Sequence, residues 1–124
     1  MSGLRVIVCG GRNYQNYERV CEVLDGYDIR HLWHGNASGA DKLAGAWGAR
    51  KPGVSVHAVA AEWGKYGRKA GPIRNQVMLD RSPDLVIAFP GGSGTADMVR
   101  RSMAAGVDVL QVTDISKQAK ESTS

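Results

Sequence analysis

The stretch DLVIAFPGGSGTADMV, residues 84–99, decides the fold. It opens with a strand-length apolar run, 84–91, rich in Val and Ile. The run breaks into Pro90, Gly91, Gly92, Ser93, Gly94 and Thr95. From 95 to 105 apolar residues return at helical spacing, with Met98, Val99, Met103 and Ala104 on one stripe. A buried strand, a glycine-dense turn and an amphipathic helix make one βα unit. Three glycines are more than a tight turn needs, so the backbone here is expected to come close to something outside itself.

Working outward, the same unit recurs. Apolar runs of strand length lie at 4–10, 29–35, 54–60 and 107–112, each bounded by Gly, Pro or Asp. Runs 4–10 and 84–91 are apolar at nearly every position, as parallel strands buried on both faces are. Segments of helical length lie between them at 15–25, 40–50 and 71–81. Alternating β and α elements predict an α/β fold: a Rossmann-like, doubly wound parallel sheet of about five strands with helices on both faces. One domain spans 1–113, and 114–124 is a polar tail expected to be frayed or a short helix.

With 124 residues, 43% of them hydrophobic, the chain can bury one core. No apolar run approaches the roughly 20 residues of a membrane span, and the start MSGLRVIVCGGRN lacks the features of a signal peptide. A cytoplasmic protein with no membrane partner is expected. Cys9 and Cys21 fit neither a redox motif nor a zinc ligand set and read as buried thiols; no metal site and no cofactor is expected. The net charge of +4 is mild, and the basic residues gather near loops: Arg12, then Lys65, Arg68, Lys69 and Arg74, then Arg100 and Arg101. That pattern suits an anion site as well as a nucleic-acid surface.

In an open parallel sheet, ligands bind outside the carboxyl ends of the strands. All four loops there are rich in Gly and polar residues: GGRNY (10–14), HGNASGAD (34–41), EWGKYGRKAGPIRN (62–75) and PGGSGT (90–95). Glycine lets successive backbone N–H groups converge on one phosphate, aided by the helix start that follows. Charge-assisted hydrogen bonds from those N–H groups, Ser93 or Thr95 contribute about 1.5–3 kcal/mol each, against about 0.3–1 kcal/mol from the helix dipole. Hydrogen bonding dominates. The glycines of any one loop would equally serve as turn and cap residues. The cluster Gly91, Gly92, Ser93, Gly94, Thr95 points to phosphate. Two familiar templates are missing: GGRNYQ lacks GxGxxG spacing, and no GxxxxGK[ST] occurs.

PGGSGT preceded by RNQVM resembles the SLOG superfamily, which includes the Lonely Guy phosphoribohydrolases. With GGRNY, HGNASGAD and the Trp-x-x-Tyr-Gly-x-x-Ala-Gly-Pro-x-Arg-Asn run at 63–75, the chain is similar over residues 4–112 to the YspA-type (cpYpsA-related, DUF2493) branch. The resemblance implies a nucleotide or nucleotide-derived ligand, often a homodimer, and a bacterial or phage setting. In the phosphoribohydrolases PGGxGTxxE provides a phosphate cradle and a catalytic glutamate, and an arginine four before a methionine provides a second catalytic group. Arg74, four before Met78, matches the arginine. Met98 stands where the glutamate would be, with Asp97 one residue earlier, about 100° away around a helix. The leading expectation is therefore a binding or sensing module. The alternative is hydrolysis of the N-glycosidic bond of a nucleoside monophosphate, with Arg74 and Asp97 as catalytic residues. In that view a glutamate introduced at 98 would restore cleavage. A third reading, less favoured, is single-stranded nucleic-acid binding.

The expected ligand-binding set is Gly10, Gly11, Arg12, His34, Gly35, Ser38, Gly39, Asp41, Arg74, Asn75, Pro90, Gly91, Gly92, Ser93, Gly94 and Thr95. Several carry two readings. Asp41 either accepts from ribose hydroxyls or caps a helix with Ser38. His34 either meets a ligand or is a satisfied structural histidine. Trp63 and Tyr66 either stack on a base or fill space under their loop. Trp33 and Trp47 are assigned to the core or a dimer interface. Asn75 orients Arg74 or a ligand hydroxyl.

Overall fold

A computed structural model describes residues 3–114. Five strands, β1 (Leu4–Cys9), β2 (Ile29–His34), β3 (Ser55–Ala58), β4 (Leu85–Ala88) and β5 (Asp108–Gln111), form one sheet of order β3-β2-β1-β4-β5. All four pairings are parallel. Helices α1 (Tyr17–Leu24), α2 (Ala40–Ala49), α4 (Ala70–Leu79) and α5 (Ser93–Ala104) link them. A short helix α3 (Trp63–Tyr66) and a 3-10 turn (Gly67–Lys69) precede α4, in a stretch expected to be loop. The expected α/β architecture is the observed one. The tail beyond Asp114 lies outside the described residues.

Side-chain alternation along β1 builds two cores, one on each face of the sheet. Val6 and Val8 pack with Val20 and Leu24 of α1 and Ala40, Ala44 and Trp47 of α2. Ile7 and Cys9 pack with Met78 and Leu79 of α4 and Met98 of α5. A strand covered on both faces is apolar at nearly every position, which is why β1 and β4 lack the polar alternation of an exposed sheet. Phe89, only 1% exposed, joins the α1/α2 core. Truncating it to alanine would cost about 3–5 kcal/mol.

Trp33 and Trp47 are buried within the single chain, so neither calls for a second copy to cover it. Both cysteines are free, Cys9 buried and Cys21 half-buried. Among the described residues no helix is long and apolar enough to cross a membrane.

The chain runs from β1 outward to β3, then crosses to β4 and on to β5. The strand order therefore reverses between β1 and β4, and the loops after these two strands diverge there. A crevice at such a reversal is where open α/β sheets take ligands.

Candidate functional site

The floor of the crevice is made of glycine backbone packed on backbone. Gly11 N–H donates to Pro90 C=O at 2.9 Å, and Ala40 N–H, in the first turn of α2, donates to Gly11 C=O at 3.1 Å. A methyl on Gly10 would lie 2.5 Å from Cβ of Ala40 and 3.0 Å from that of Phe89. A methyl on Gly91 would strike the Thr95 hydroxyl and come within 2.6 Å of the Gly11 nitrogen. Gly39 has a positive φ of 80°, and a side chain there would run into the Gly11 carbonyl. These four glycines hold three loops in mutual contact.

Gly92 and Gly94 differ. A Cβ on either would meet nothing within 4 Å. They flank Ser93 at the start of α5, a twelve-residue helix with no side-chain cap. The first amide there with a protein acceptor is that of Ala96, bonded to Gly92 C=O at 3.0 Å. The amides of Ser93, Gly94 and Thr95 have no protein acceptor among the described residues and lie at the positive end of the helix dipole. Beside them a groove of about 560 Å³ runs between α5 and the ends of β4 and β5, past Gly91, Gly92, Thr95, Arg100 and Gln111.

Arg74 lies in the second turn of α4. Its Nη1 donates to Gly35 C=O at 2.5 Å and its Nε to Asn75 Oδ1 at 3.1 Å. The guanidinium crosses directly over Gly35, where any Cβ would collide with it and approach Asp41 Oδ2 at 2.9 Å. Burial lowers the Arg74 pKa, with the charge of Asp41 opposing that effect. Burial likewise raises the Asp41 carboxyl, countered by the Ala37 amide, which donates to Oδ2 at 3.2 Å, and by Arg74. Asp41 thus ties down the 35–37 loop next to Arg74. It does not cap α2 with Ser38: the N-cap is Gly39, with no side-chain cap bond, and Ser38 is exposed.

Asp97 lies elsewhere. Its Oδ2 accepts from Asn75 Nδ2 at 3.0 Å and Arg101 Nε at 2.9 Å, and its Oδ1 from Arg100 Nη2 at 2.8 Å. Asn75 Nδ2 also reaches Gly94 C=O at 3.3 Å. Asn75 therefore links Arg74 to Asp97 and to the start of α5. Both Asp97 oxygens are occupied by these donors and the residue is 7% exposed. Met98 is wholly buried in the α4/α5 core. The expectation that a glutamate at 98 would restore cleavage fails on geometry, because position 98 sits on the sheet-facing stripe of α5.

His34 is 4% exposed, and its Nδ1 accepts from Asn36 N–H at 3.0 Å. Burial, then Lys42 and Arg74, hold its pKa below the ordinary value, so the ring is neutral with its proton on Nε2. It faces Gly45 of α2, away from Gly92 and Gly94. Arg12 is exposed, with its guanidinium 6.0 Å from the Trp63 ring centre; Trp63 is half exposed and Tyr66 38% exposed. Cys9 feels the charges of Asp41 and Arg74; burial first, then Asp41, pushes its thiol up to about 12, which removes it as a nucleophile at neutral pH. No group of three or more metal-ligating side chains occurs among the described residues.

The fold and these loops have relatives. A family model described as "YspA, cpYpsA-related SLOG family" matches residues 4–66, from β1 through α3. The chain is also 34% identical over 121 residues to the Gene 61 protein of Mycobacterium phage D29, covering 89% of this chain and 97% of that one. A match through GGRNY, HGNASGAD and the Trp63 turn, with similarity to a relative along nearly its whole length, makes the chain a member of the YspA, cpYpsA-related SLOG family.

Proposed function

We propose that the chain binds a nucleotide or nucleotide-derived ligand at the β1/β4 crevice, with phosphate on the Ser93, Gly94 and Thr95 amides, as a binding or sensing module. Membership of a SLOG family favours a nucleotide-related role. The observation that carries the reading is the open space over Gly92 and Gly94 in a ring of otherwise packed glycines. Arg74 and Arg12 supply positive charge, and Trp63 offers an exposed aromatic face to a base. Calorimetric titration with a panel of nucleotides tests this. Gly92→Val and Gly94→Val should fold yet bind at least tenfold more weakly. Unchanged affinity in folded variants would remove the cradle. Steep loss of binding to single-stranded DNA with salt, in place of nucleotide binding, would favour the nucleic-acid reading.

A hydrolytic reading has one observation in its favour. The carboxyl that shares space with Arg74 is Asp41, not Asp97. N-glycosidic cleavage needs a carboxylate to steady an oxocarbenium ion or activate water. Free adenine from adenosine monophosphate, lost in Asp41→Asn, would establish it; intact nucleotide after prolonged incubation supports the binding module. Homodimerisation is part of the proposal, supported by Ile73 and Val77, each more than a third exposed on α4. Light scattering at micromolar concentration should give twice the chain mass.

A further inference from the structure

A second concavity lies along the free edge of the sheet. It is a groove of about 560 Å³ between α2 and β3, distinct from the crevice at β1/β4. Its floor is the α2 face carrying Gly45 and Gly48, and its wall is Val54, Val56 and Ala58. Gly48 lets β3 pack closely on the helix: a methyl there would lie 2.5 Å from Val56. Gly45 serves another purpose. A methyl on it would sit 2.9 Å from Nε2 of His34, so its absence keeps that nitrogen uncovered.

His34 is the feature an apolar crevice alone does not explain. Nδ1 is committed to the Asn36 amide, so Nε2 bears the hydrogen. No protein acceptor meets that N–H among the described residues; the residue as a whole is only 4% exposed, but this nitrogen is not sealed in and opens into the groove that His34 lines. Lys42 stands at the same end, its Nζ donating to Asn36 Oδ1 at 2.8 Å. An ammonium has three hydrogens, so two remain for a ligand. Lys51, further along, is paired with Asp25 at 2.8 Å. No carboxylate lines the groove. The polar end thus offers donors and positive charge, and the rest offers a flat surface of backbone and short apolar side chains.

The geometry points to a second binding site in this groove for a small oxyanion carried on a planar apolar body, its anionic oxygen taken by His34 Nε2–H and Lys42 and its flat body laid on Gly45 against Val54 and Val56. The shared chemistry is the oxyanion. An aryl carboxylate and an aryl phosphate are its two sources.

NMR titration of the intact protein, reading the His34 imidazole signals, tests it with benzoate, phenyl phosphate, inorganic phosphate and benzyl alcohol as probes. Benzoate or phenyl phosphate should shift His34 saturably, and the tighter of the two identifies the anion. Inorganic phosphate and benzyl alcohol should bind at least tenfold more weakly, since each lacks one half of the recognised structure. The amides of Ser93, Gly94 and Thr95 should not follow benzoate. Gly45→Ala, which raises helix propensity while covering Nε2, should weaken the tight probe at least tenfold. Lys42→Gln, an exposed change, should weaken it several-fold. No saturable His34 shift with either aryl anion, or equal binding by a folded Gly45→Ala protein, would overturn the site. So would a His34 shift that follows protein concentration with no probe added, which would assign the β3 edge to a second copy.

Discussion

Two sets of glycines share the strand ends and do opposite things. Gly10, Gly11, Gly39 and Gly91 have neighbours where a side chain would go, and those neighbours are mostly backbone of the adjoining loops. Gly92 and Gly94 have none. The first set is explained by folding: three loops cannot approach within hydrogen-bonding distance if any carries a Cβ at the contact. Packing gives no such reason for the second set, although Gly92 is the N-cap of α5, a position that suits glycine. Gly94 lies inside the first turn of α5, where alanine would be the better helix former. A residue that helix formation disfavours and packing does not require is what the proposed phosphate site calls for at this turn.

The largest expected effect breaks the first set. Gly39→Val combines a positive φ with a collision against the Gly11 carbonyl. Strained backbone and overpacking cost about 1–3 kcal/mol each, so urea denaturation should show a loss of roughly 3 kcal/mol or more. Gly94→Ala, in contrast, should be neutral or stabilise by up to about 1 kcal/mol while weakening nucleotide binding. If the two substitutions cost the same, the division between the sets is wrong.

Met98→Glu should come next. It places a carboxylate in a core of Ile7, Trp33, Met78 and Val86, at a cost of roughly 3 kcal/mol or more even when it folds protonated. No release of adenine should accompany it. Asp97→Ala is milder, because Arg100 is largely exposed and solvent screens that pair. Removing the acceptor shared by Asn75 and Arg101 should cost about 1–2 kcal/mol. Asp97→Ala should weaken nucleotide binding only modestly, because Asp97 acts through Asn75 and not on the ligand. Loss of binding as complete as in Gly94→Val would promote Asp97 to a ligand contact.

The smallest effect is on pH. His34 and His57 both have pKa values below 6.5, each mainly through burial, with His31, Arg5 and Arg81 adding to the effect at His57. The unfolded chain then takes up protons first as pH falls, so the stability is present above pH 6.5 and is lost below it. The melting temperature should fall from pH 7 toward pH 5, and His57→Phe should flatten part of that slope.

Much of the fold was legible because its causes are local. Nearly unbroken apolar runs identify β1 and β4 as the buried strands, and shorter apolar runs bounded by Gly, Pro or Asp place the other three. The short helix at Trp63–Tyr66 was hidden, since four exposed residues carry no periodicity. At the site, the loops themselves were readable but their division of labour was not. Gly91 and Gly92 are adjacent and chemically identical, and only the position of Gly11 and Thr95 in space separates them. Asp97 looked like a candidate catalytic carboxylate because sequence shows which residues neighbour along the chain, not that Asn75, Arg100 and Arg101 converge on it from two helices. The same holds for Asp41, which lies 33 positions before Arg74 in the chain yet beside it in space.

In the proposed site a phosphate at the start of α5 is held by the Ser93, Gly94 and Thr95 amides. The most direct measurement is an amide NMR titration of the unmodified protein with adenosine, guanosine, cytidine and uridine monophosphates. At least one should shift the Ser93, Gly94 and Thr95 amides downfield together and saturably, with the Arg74 side-chain Nε following, as hydrogen bonds to a phosphate form. Those three amides staying still, while nucleotide shifts other parts of the chain or none at all, would contradict the account.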